Sequence, residues 1–106
     1  MIMVVGHARF DPGDLDRLKR LAGPMIEASR AEAGCVDYSY ALDLMTDGVL
    51  HIYERWRDLD ALKFHFQTPH MATFLEGLKS VTVDVTEVRV ITADDGRPLS
   101  EVMAGP

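Results

Sequence analysis

Three side chains that can move protons lie within one short stretch of the chain: Glu54, His65 and His70. Glu54 lies in residues 49–57, which alternate in character as a β-strand does, and it shares a strand face with Trp56. A carboxylate on a face that packs against helices loses hydration, which raises its pKa and makes it a candidate base near neutrality. A neutral imidazole can accept a proton or donate a hydrogen bond to an oxyanion. We therefore take these three residues as the candidate catalytic set.

Four aromatic residues near this set are candidates for the walls of a substrate pocket. Trp56, the only tryptophan, could stack on an aromatic ring. Phe66 and Phe74 occur at helical spacing, which favours core packing over a pocket wall. Tyr38 could donate a phenol hydrogen bond, although its place on the strand favours sheet packing or a dimer interface. The interpretation as plain core residues stays open for all four.

The polar candidates also have structural interpretations. Glu54 could be a structural carboxylate that accepts hydrogen bonds, His65 a packing residue and His70 a capping residue. Two histidines five residues apart on an ideal helix point about 140° apart. A metal site made of Glu54, His65 and His70 is therefore not expected, although Pro69 between the histidines could reorient them. Cys35, the single cysteine, has no neighbouring base to lower its pKa, so it is a weak candidate nucleophile.

Composition narrows the class of protein. A length of 106 residues fits one domain, and the net charge of −6 argues against nucleic acid, which needs a basic surface. One cysteine cannot form an internal disulfide, which suits a reducing cytosol. The N-terminus lacks the features of a signal peptide, and no apolar run approaches the ~20 residues that cross a bilayer. We expect a cytoplasmic protein with neither nucleic acid nor membrane as a partner.

The sequence pattern predicts the order β-α-β-β-α-β, with the second helix broken in two. The predicted strands are residues 2–10, 35–42, 49–57 and 81–92, and Pro24 could kink or break the first helix. Asp58 and Thr68 are the expected caps of the two helix pieces. This is an α+β, ferredoxin-like split βαβ fold: a four-stranded antiparallel sheet with helices on one face. Apolar residues on both sheet faces predict a homodimer.

The end of the chain differs from the rest. Residues 93–106 are punctuated by Gly and Pro and contain few large apolar side chains. We therefore divide the chain into a domain of residues 1–92 and a C-terminal tail of residues 93–106.

Three motifs together resemble the antibiotic biosynthesis monooxygenase family, in particular its small bacterial quinol monooxygenases. The motifs are Glu32-Ala33-Gly34-Cys35-x-x-Tyr38, Glu54-x-Trp56 and Leu62-x-x-His65-x-x-Thr68-Pro69-His70-Met71. The resemblance covers roughly residues 3–92. It implies a ferredoxin-like homodimer, a dimeric α–β barrel.

The resemblance also implies a reaction. In a cofactor-independent monooxygenase, a phenolic or quinol-type substrate is deprotonated and its anion reduces dioxygen, so neither a metal nor a flavin is needed. Such a site needs a base, a hydrogen-bond donor and apolar walls around a small aromatic substrate. Glu54, His65 and His70 would be the polar groups, and Tyr38, Trp56, Phe66 and Phe74 would bind the substrate.

Relatives in the same family imply other activities. One alternative is an isomerase or other proton-transfer enzyme that acts on a small hydroxy-ketone, as in the autoinducer-processing relatives, because that reaction needs the same base. Another is a dimeric small-molecule-binding module without catalysis. The haem-degrading relatives have an asparagine on the first strand, where this chain has Val5-Gly6-His7, so haem is not expected. The sequence favours oxygenation but leaves the first two alternatives open.

Overall fold

The computed structural model describes residues 1–105 as four strands and four helices. In chain order the elements are β1 (Ile2–Phe10), α1 (Leu15–Arg30), β2 (Cys35–Leu42), β3 (Val49–Trp56), α2 (Leu59–His65), α3 (Pro69–Leu78), β4 (Val83–Thr92) and α4 (Leu99–Met103). The strands form one antiparallel sheet in the order β2-β3-β1-β4. The predicted ferredoxin-like α+β fold is therefore confirmed, with β1 and β3 in the centre.

Helix α1 continues through Pro24, so the proline does not break it. The buried residues of the helix recur every three or four positions and form one apolar stripe: Leu18, Ala22, Met25 and Ser29. Pro24 lies on the exposed side. There, water can donate to the carbonyl group that is left without a partner because proline has no N–H. The helix therefore tolerates the proline.

The alternation of β3 is confirmed. Glu54 and Trp56 lie on the helix-facing side of the sheet and are 5% and 0% exposed, whereas His51 is exposed. The strand ends at Trp56, one residue earlier than predicted, and the Arg57 N–H instead donates to the Gly34 carbonyl. β4 begins at Val83 rather than at residue 81, because the N–H of residue 81 bonds back to the end of α3.

The predicted break between α2 and α3 is confirmed, but one of its caps differs. The Asp58 carboxylate accepts a hydrogen bond of 2.8 Å from the Ala61 N–H and caps α2 as expected. The Thr68 side chain does not cap α3. Its hydroxyl donates to the His65 carbonyl at 2.7 Å and so ties the start of α3 to the end of α2.

The core lies between the sheet and the first three helices, and it leaves one side of β4 uncovered. Val88 and Val90 pair with Gly6 and Val4 of β1, so they share the helix-facing side of the sheet. They are nevertheless 38% and 57% exposed, and Val85 on the same strand is 60% exposed. The buried core residues are Ile2, Val4, Ala22, Met25, Tyr38, Trp56, Ala61, Leu62, Met71 and Phe74.

The chain leaves the sheet after Thr92, where we place the boundary of the tail. α4 is short and presents Leu99, Val102 and Met103 to solvent. Within residues 1–105, no helix combines the length and the apolar character needed to cross a membrane.

Gly6 provides a test of the fold, because β1 and β4 approach closely there. A Cβ at this position would collide with the Glu87 carbonyl oxygen, next to the register shift after His7. We predict that Gly6→Ala lowers the free energy of unfolding by at least about 2 kcal/mol, since backbone must move. Gly23→Ala is the control: its Cβ meets nothing within 4 Å, and alanine in α1 should stabilise by up to about 1 kcal/mol. Equal urea midpoints for the two variants would contradict the close approach.

Candidate functional site

Glu32 joins the two candidate histidines. Its Oε2 atom lies 2.7 Å from Nδ1 of His65 and 2.8 Å from Nε2 of His70. The Glu32 and His65 side chains are 7% and 1% exposed, and that of His70 is 22% exposed. Hydrogen bonds between imidazole N–H groups and a carboxylate are charge-assisted and strong at such depth. The two imidazoles therefore share one buried carboxylate oxygen.

Local backbone structure brings these three side chains together. Glu32 follows the end of α1, where its N–H donates to the Ser29 carbonyl. His65 is the last residue of α2, and His70 is the second residue of α3. The break between the helices turns the second histidine back toward the first, so their ring centroids are 6.0 Å apart. A continuous helix would have pointed them apart.

Two tyrosines extend the polar contacts from the other side of His65. Nε2 of His65 lies 3.4 Å from the Tyr38 hydroxyl, which lies 3.3 Å from the Tyr40 hydroxyl. Both tyrosines lie on the same face of β2. Burial raises the pKa of Tyr38, and it raises that of Tyr40 to about 12, so both hydroxyls keep their protons at neutral pH. We call Tyr40, Tyr38, His65, Glu32 and His70 the polar chain.

The surroundings of His65 determine its protonation state. Burial lowers the pKa of His65, and the hydrogen bond and charge of Glu32 oppose this effect only in part. The imidazole is therefore neutral at pH 7. Since a carboxylate only accepts, we assign the single proton to Nδ1, which donates to Glu32. Nε2 is then free to accept a hydrogen bond from the Tyr38 hydroxyl.

Glu54 lies beside the polar chain and is not part of it. Its Oε1 accepts a hydrogen bond of 2.9 Å from Nε1 of Trp56. Burial raises the pKa of Glu54 to about 7; the Trp56 hydrogen bond opposes this shift and the charge of Glu32 adds to it. Among residues 1–105, no hydrogen bond connects Glu54 to His65 or His70. The structure thus places Glu32, and not Glu54, at hydrogen-bond distance from the two histidines.

Three of the predicted pocket aromatics lie beside the polar chain. Trp56 is fully buried, and its ring centroid lies 4.6 Å from that of His65. Phe74 is also buried and packs edge-on against Tyr40 at 6.2 Å. Phe66 is 59% exposed, with its ring 5.5 Å from His65. These contacts hold His65 and Tyr40 in position, and an exposed Phe66 cannot wall an enclosed cavity.

An apolar pocket of about 330 Å³ lies at the Tyr40 end of the polar chain, between α1 and strands β2 and β3. A pocket of this size fits a small aromatic molecule. The predicted site residues do not line it. Its lining is apolar except for Tyr40 and Lys19, and consists of Leu15, Leu18, Lys19, Ala22, Gly23, Ile26, Tyr40, Leu42 and Leu50.

Sequence reasoning missed Glu32 and Tyr40 as site residues. Glu32 had one signal, its place at the start of the first motif of the family resemblance. Tyr40 had its alternation with Tyr38 on β2, which sheet packing explained equally well. The pocket itself was missed because its leucines belong to the apolar stripe that any helix presents to a sheet.

The same side chains offer atoms to a metal ion. Ligand atoms of Glu32, His65 and His70 lie within 4.8 Å of one another. The carboxylate-to-imidazole separations of 2.7 and 2.8 Å are hydrogen-bond distances. Two ligands of a tetrahedral zinc ion with bonds of ~2.0 Å lie about 3.3 Å apart. The geometry is therefore that of a carboxylate sharing protons with two imidazoles.

Comparison with known proteins identifies the family. Residues 1–77 match the sequence pattern of the antibiotic biosynthesis monooxygenase family. The chain belongs to this family, as the three motifs indicated.

Two individual proteins and a solved structure are similar to this chain. The uncharacterized protein sll1783 of Synechocystis sp. is 33% identical over 89 residues, which are 84% of this chain and 60% of that protein. The chain thus spans about three fifths of that relative. YcnE of Bacillus subtilis, named as a proposed monooxygenase, is 26% identical over 93 residues, 85% of this chain and 98% of YcnE. A Deinococcus radiodurans crystal structure assigned to the same family shares the fold: its TM-score is 0.84 and its identity 24%, over 93% of this chain and 98% of that one.

The buried Glu54 makes stability depend on pH. Its pKa is about 7 in the folded protein against an ordinary value of 4.5. The stability that neutral Glu54 contributes to the folded protein is therefore fully present below pH 4.5 and is lost as the pH rises through 7. We predict that, between pH 4.5 and about pH 8, the protein loses roughly 2 to 3 kcal/mol of unfolding free energy relative to Glu54→Gln.

Urea denaturation at both pH values measures this difference. Glu27→Gln, which changes an exposed carboxylate on α1, is the matched control and should follow the unmodified protein. If the stability of Glu54→Gln also changes with pH as that of the unmodified protein does, the carboxyl group of Glu54 is not buried as described.

Proposed function

We propose that this protein is a cofactor-independent monooxygenase that oxidises a small phenolic or quinol-type aromatic with dioxygen. The observation that carries the proposal is an apolar pocket with Tyr40 in its wall, behind which Tyr38 leads to the buried base His65. Membership of the antibiotic biosynthesis monooxygenase family supports oxygenation as the class of reaction.

The pocket suits an aromatic substrate that must lose a proton. Its leucines would pack against the ring and lower the polarity around it, which strengthens electrostatic interactions inside the site. A substrate hydroxyl would lie beside Tyr40, the one phenol group in the lining. Lys19 supplies a positive charge that favours the phenolate over the neutral phenol.

The reaction can be written without an external reductant. Loss of the O–H proton gives a phenolate, which donates electrons to dioxygen and forms a carbon–oxygen bond. The resulting ring peroxide loses water to give a hydroxylated quinone. One oxygen atom thus enters the product and the other leaves as water, while the quinol itself supplies all the electrons.

The protein contributes position and proton transfer. Glu54, His65 and His70 remain the proposed catalytic groups, Tyr40 joins them, and Glu32 positions the two histidines. Glu54, with a pKa of about 7, can exchange a proton near neutrality. No metal or flavin takes part in the proposed reaction.

Oxygen-electrode assays with a panel of hydroquinones test this proposal. We expect uptake above the rate of autoxidation, and a fall of at least about tenfold for Tyr40→Phe and His65→Gln, because each loses a proton-transfer group. His51→Gln is the control, since His51 is exposed on the opposite side of the sheet. Unchanged rates in Tyr40→Phe and His65→Gln would contradict the roles assigned here. Anaerobic turnover of a hydroxy-ketone would instead favour the isomerase alternative.

We also propose that the functional form is a homodimer. Val85, Val88 and Val90 leave an uncovered apolar strip on the helix-facing side of β4. The tail adds exposed Leu99 and Met103. Covering apolar surface of this kind with a partner contributes roughly 25 cal/mol of favourable free energy for each Å² that is buried. A second copy of the chain is the partner that the family resemblance implies.

Light scattering after gel filtration tests the dimer. We expect twice the mass of one chain, and a shift to monomer for Val90→Glu, because a carboxylate in an apolar interface would lose its hydration. Leu44→Glu places the same charge at a residue that is 95% exposed between β2 and β3, and it should leave the mass unchanged. A monomeric unmodified protein would refute the proposal.

A further inference from the structure

We propose that the polar chain is a proton relay, in which the hydroxyls of Tyr40 and Tyr38 pass a substrate proton to His65 and Glu32 acts as the positioning residue. This inference rests on the proposed function, because it requires a phenolic ligand in the pocket beside Tyr40. It extends that function by assigning the base, the route that reaches it and the carboxylate that orients it.

The relay can be followed atom by atom. The substrate O–H bond breaks, and its proton moves to the Tyr40 oxygen. Tyr40 gives its own proton to the Tyr38 oxygen at 3.3 Å, and Tyr38 gives its own to Nε2 of His65 at 3.4 Å. Both tyrosines end neutral, the substrate becomes a phenolate and His65 becomes an imidazolium. No charge is created or lost overall.

Burial explains why the proton stops at His65. Tyr38 is 1% exposed, so a tyrosinate there would lack hydration, and the transfers must be concerted. The His65 side chain is also 1% exposed, which denies water access to Nε2. An imidazolium at this depth is stable only if a negative charge compensates it. Glu32 supplies that charge at 2.7 Å from Nδ1.

Glu32 determines which nitrogen of His65 can act as the base. Because its Oε2 accepts the Nδ1 proton, the lone pair of the neutral ring is directed from Nε2 toward Tyr38. His70 donates to the same oxygen at 2.8 Å and fixes the carboxylate in this orientation. Glu32 thus acts through His65 and does not touch the ligand.

Binding of 4-nitrophenol tests the relay without any oxidation. Its anion is yellow, so absorbance reports how much of the bound ligand is ionised at each pH. We expect nitrophenol bound to the unmodified protein to have a pKa below its value in water. In Tyr38→Phe and Glu32→Gln, the pKa of the bound ligand should rise by about one unit or more, a tenfold smaller ionisation constant. His51→Gln should match the unmodified protein.

A purely structural role for these residues would change affinity and thermal stability without moving the pKa of the bound ligand. Tyr40→Phe gives a second test, because it removes the first hydroxyl and keeps the ring that packs against Phe74. The relay is refuted if nitrophenol does not bind, or if its pKa is the same in the unmodified protein, Tyr38→Phe and Tyr40→Phe.

Nitrophenol titration and the oxygen-electrode assay together separate the relay from the oxygenase. Ionised nitrophenol in the pocket together with no oxygen uptake from any hydroquinone supports the relay and refutes the monooxygenase. Oxygen uptake that persists at full rate in Tyr38→Phe and Glu32→Gln refutes the relay and supports the monooxygenase.

Discussion

The carboxylate of Glu32, shared between two imidazoles, is the interaction on which the site depends. One oxygen atom links the segment after α1 to the end of α2 and the start of α3. A carboxylate that is 7% exposed is costly to bury unless it is paired. Its Oε1 atom has no hydrogen-bond partner among the described residues, so removing either histidine would leave the carboxylate with a single donor. The same contacts orient His65 toward β2. Glu32 therefore determines both the position of His65 and its affinity for a proton.

The sheet supplies the other half of the site. Tyr38 lies opposite Glu54 in the β2–β3 register, and Tyr40 opposite Ile52. These cross-strand pairs place a hydroxyl and a carboxylate on the helix-facing side of the sheet. There the Trp56 ring packs edge-on against Tyr38, and its Nε1 donates to Glu54. Burial then raises the pKa of each tyrosine and of Glu54 and lowers that of His65. One desolvated environment thus gives donors, a neutral base and an acid that titrates near pH 7.

The sequence predicted what depends on local pattern. The apolar run of residues 2–10 located β1, period-two alternation located β2 and the buried face of Glu54 and Trp56, and Pro69 marked the break between α2 and α3. Glu32 could not be found in this way. It lies in an irregular connection, and its partners are 33 and 38 residues away in sequence, so no periodicity brings them together. The pocket is likewise a property of how α1 sits on the sheet, which spacing alone does not fix.

Glu32 holds the Nδ1 proton of His65 and leaves Nε2 as the base. Long-range ¹H–¹⁵N correlation spectra of protein labelled with ¹⁵N-histidine measure this directly, because a protonated ring nitrogen and one with a free lone pair differ widely in chemical shift. At neutral pH, His65 should show a protonated Nδ1 and an unprotonated Nε2, and Glu32→Gln should disturb this pattern. A neutral His65 protonated at Nε2 in the unmodified protein would show that Glu32 does not hold the Nδ1 proton.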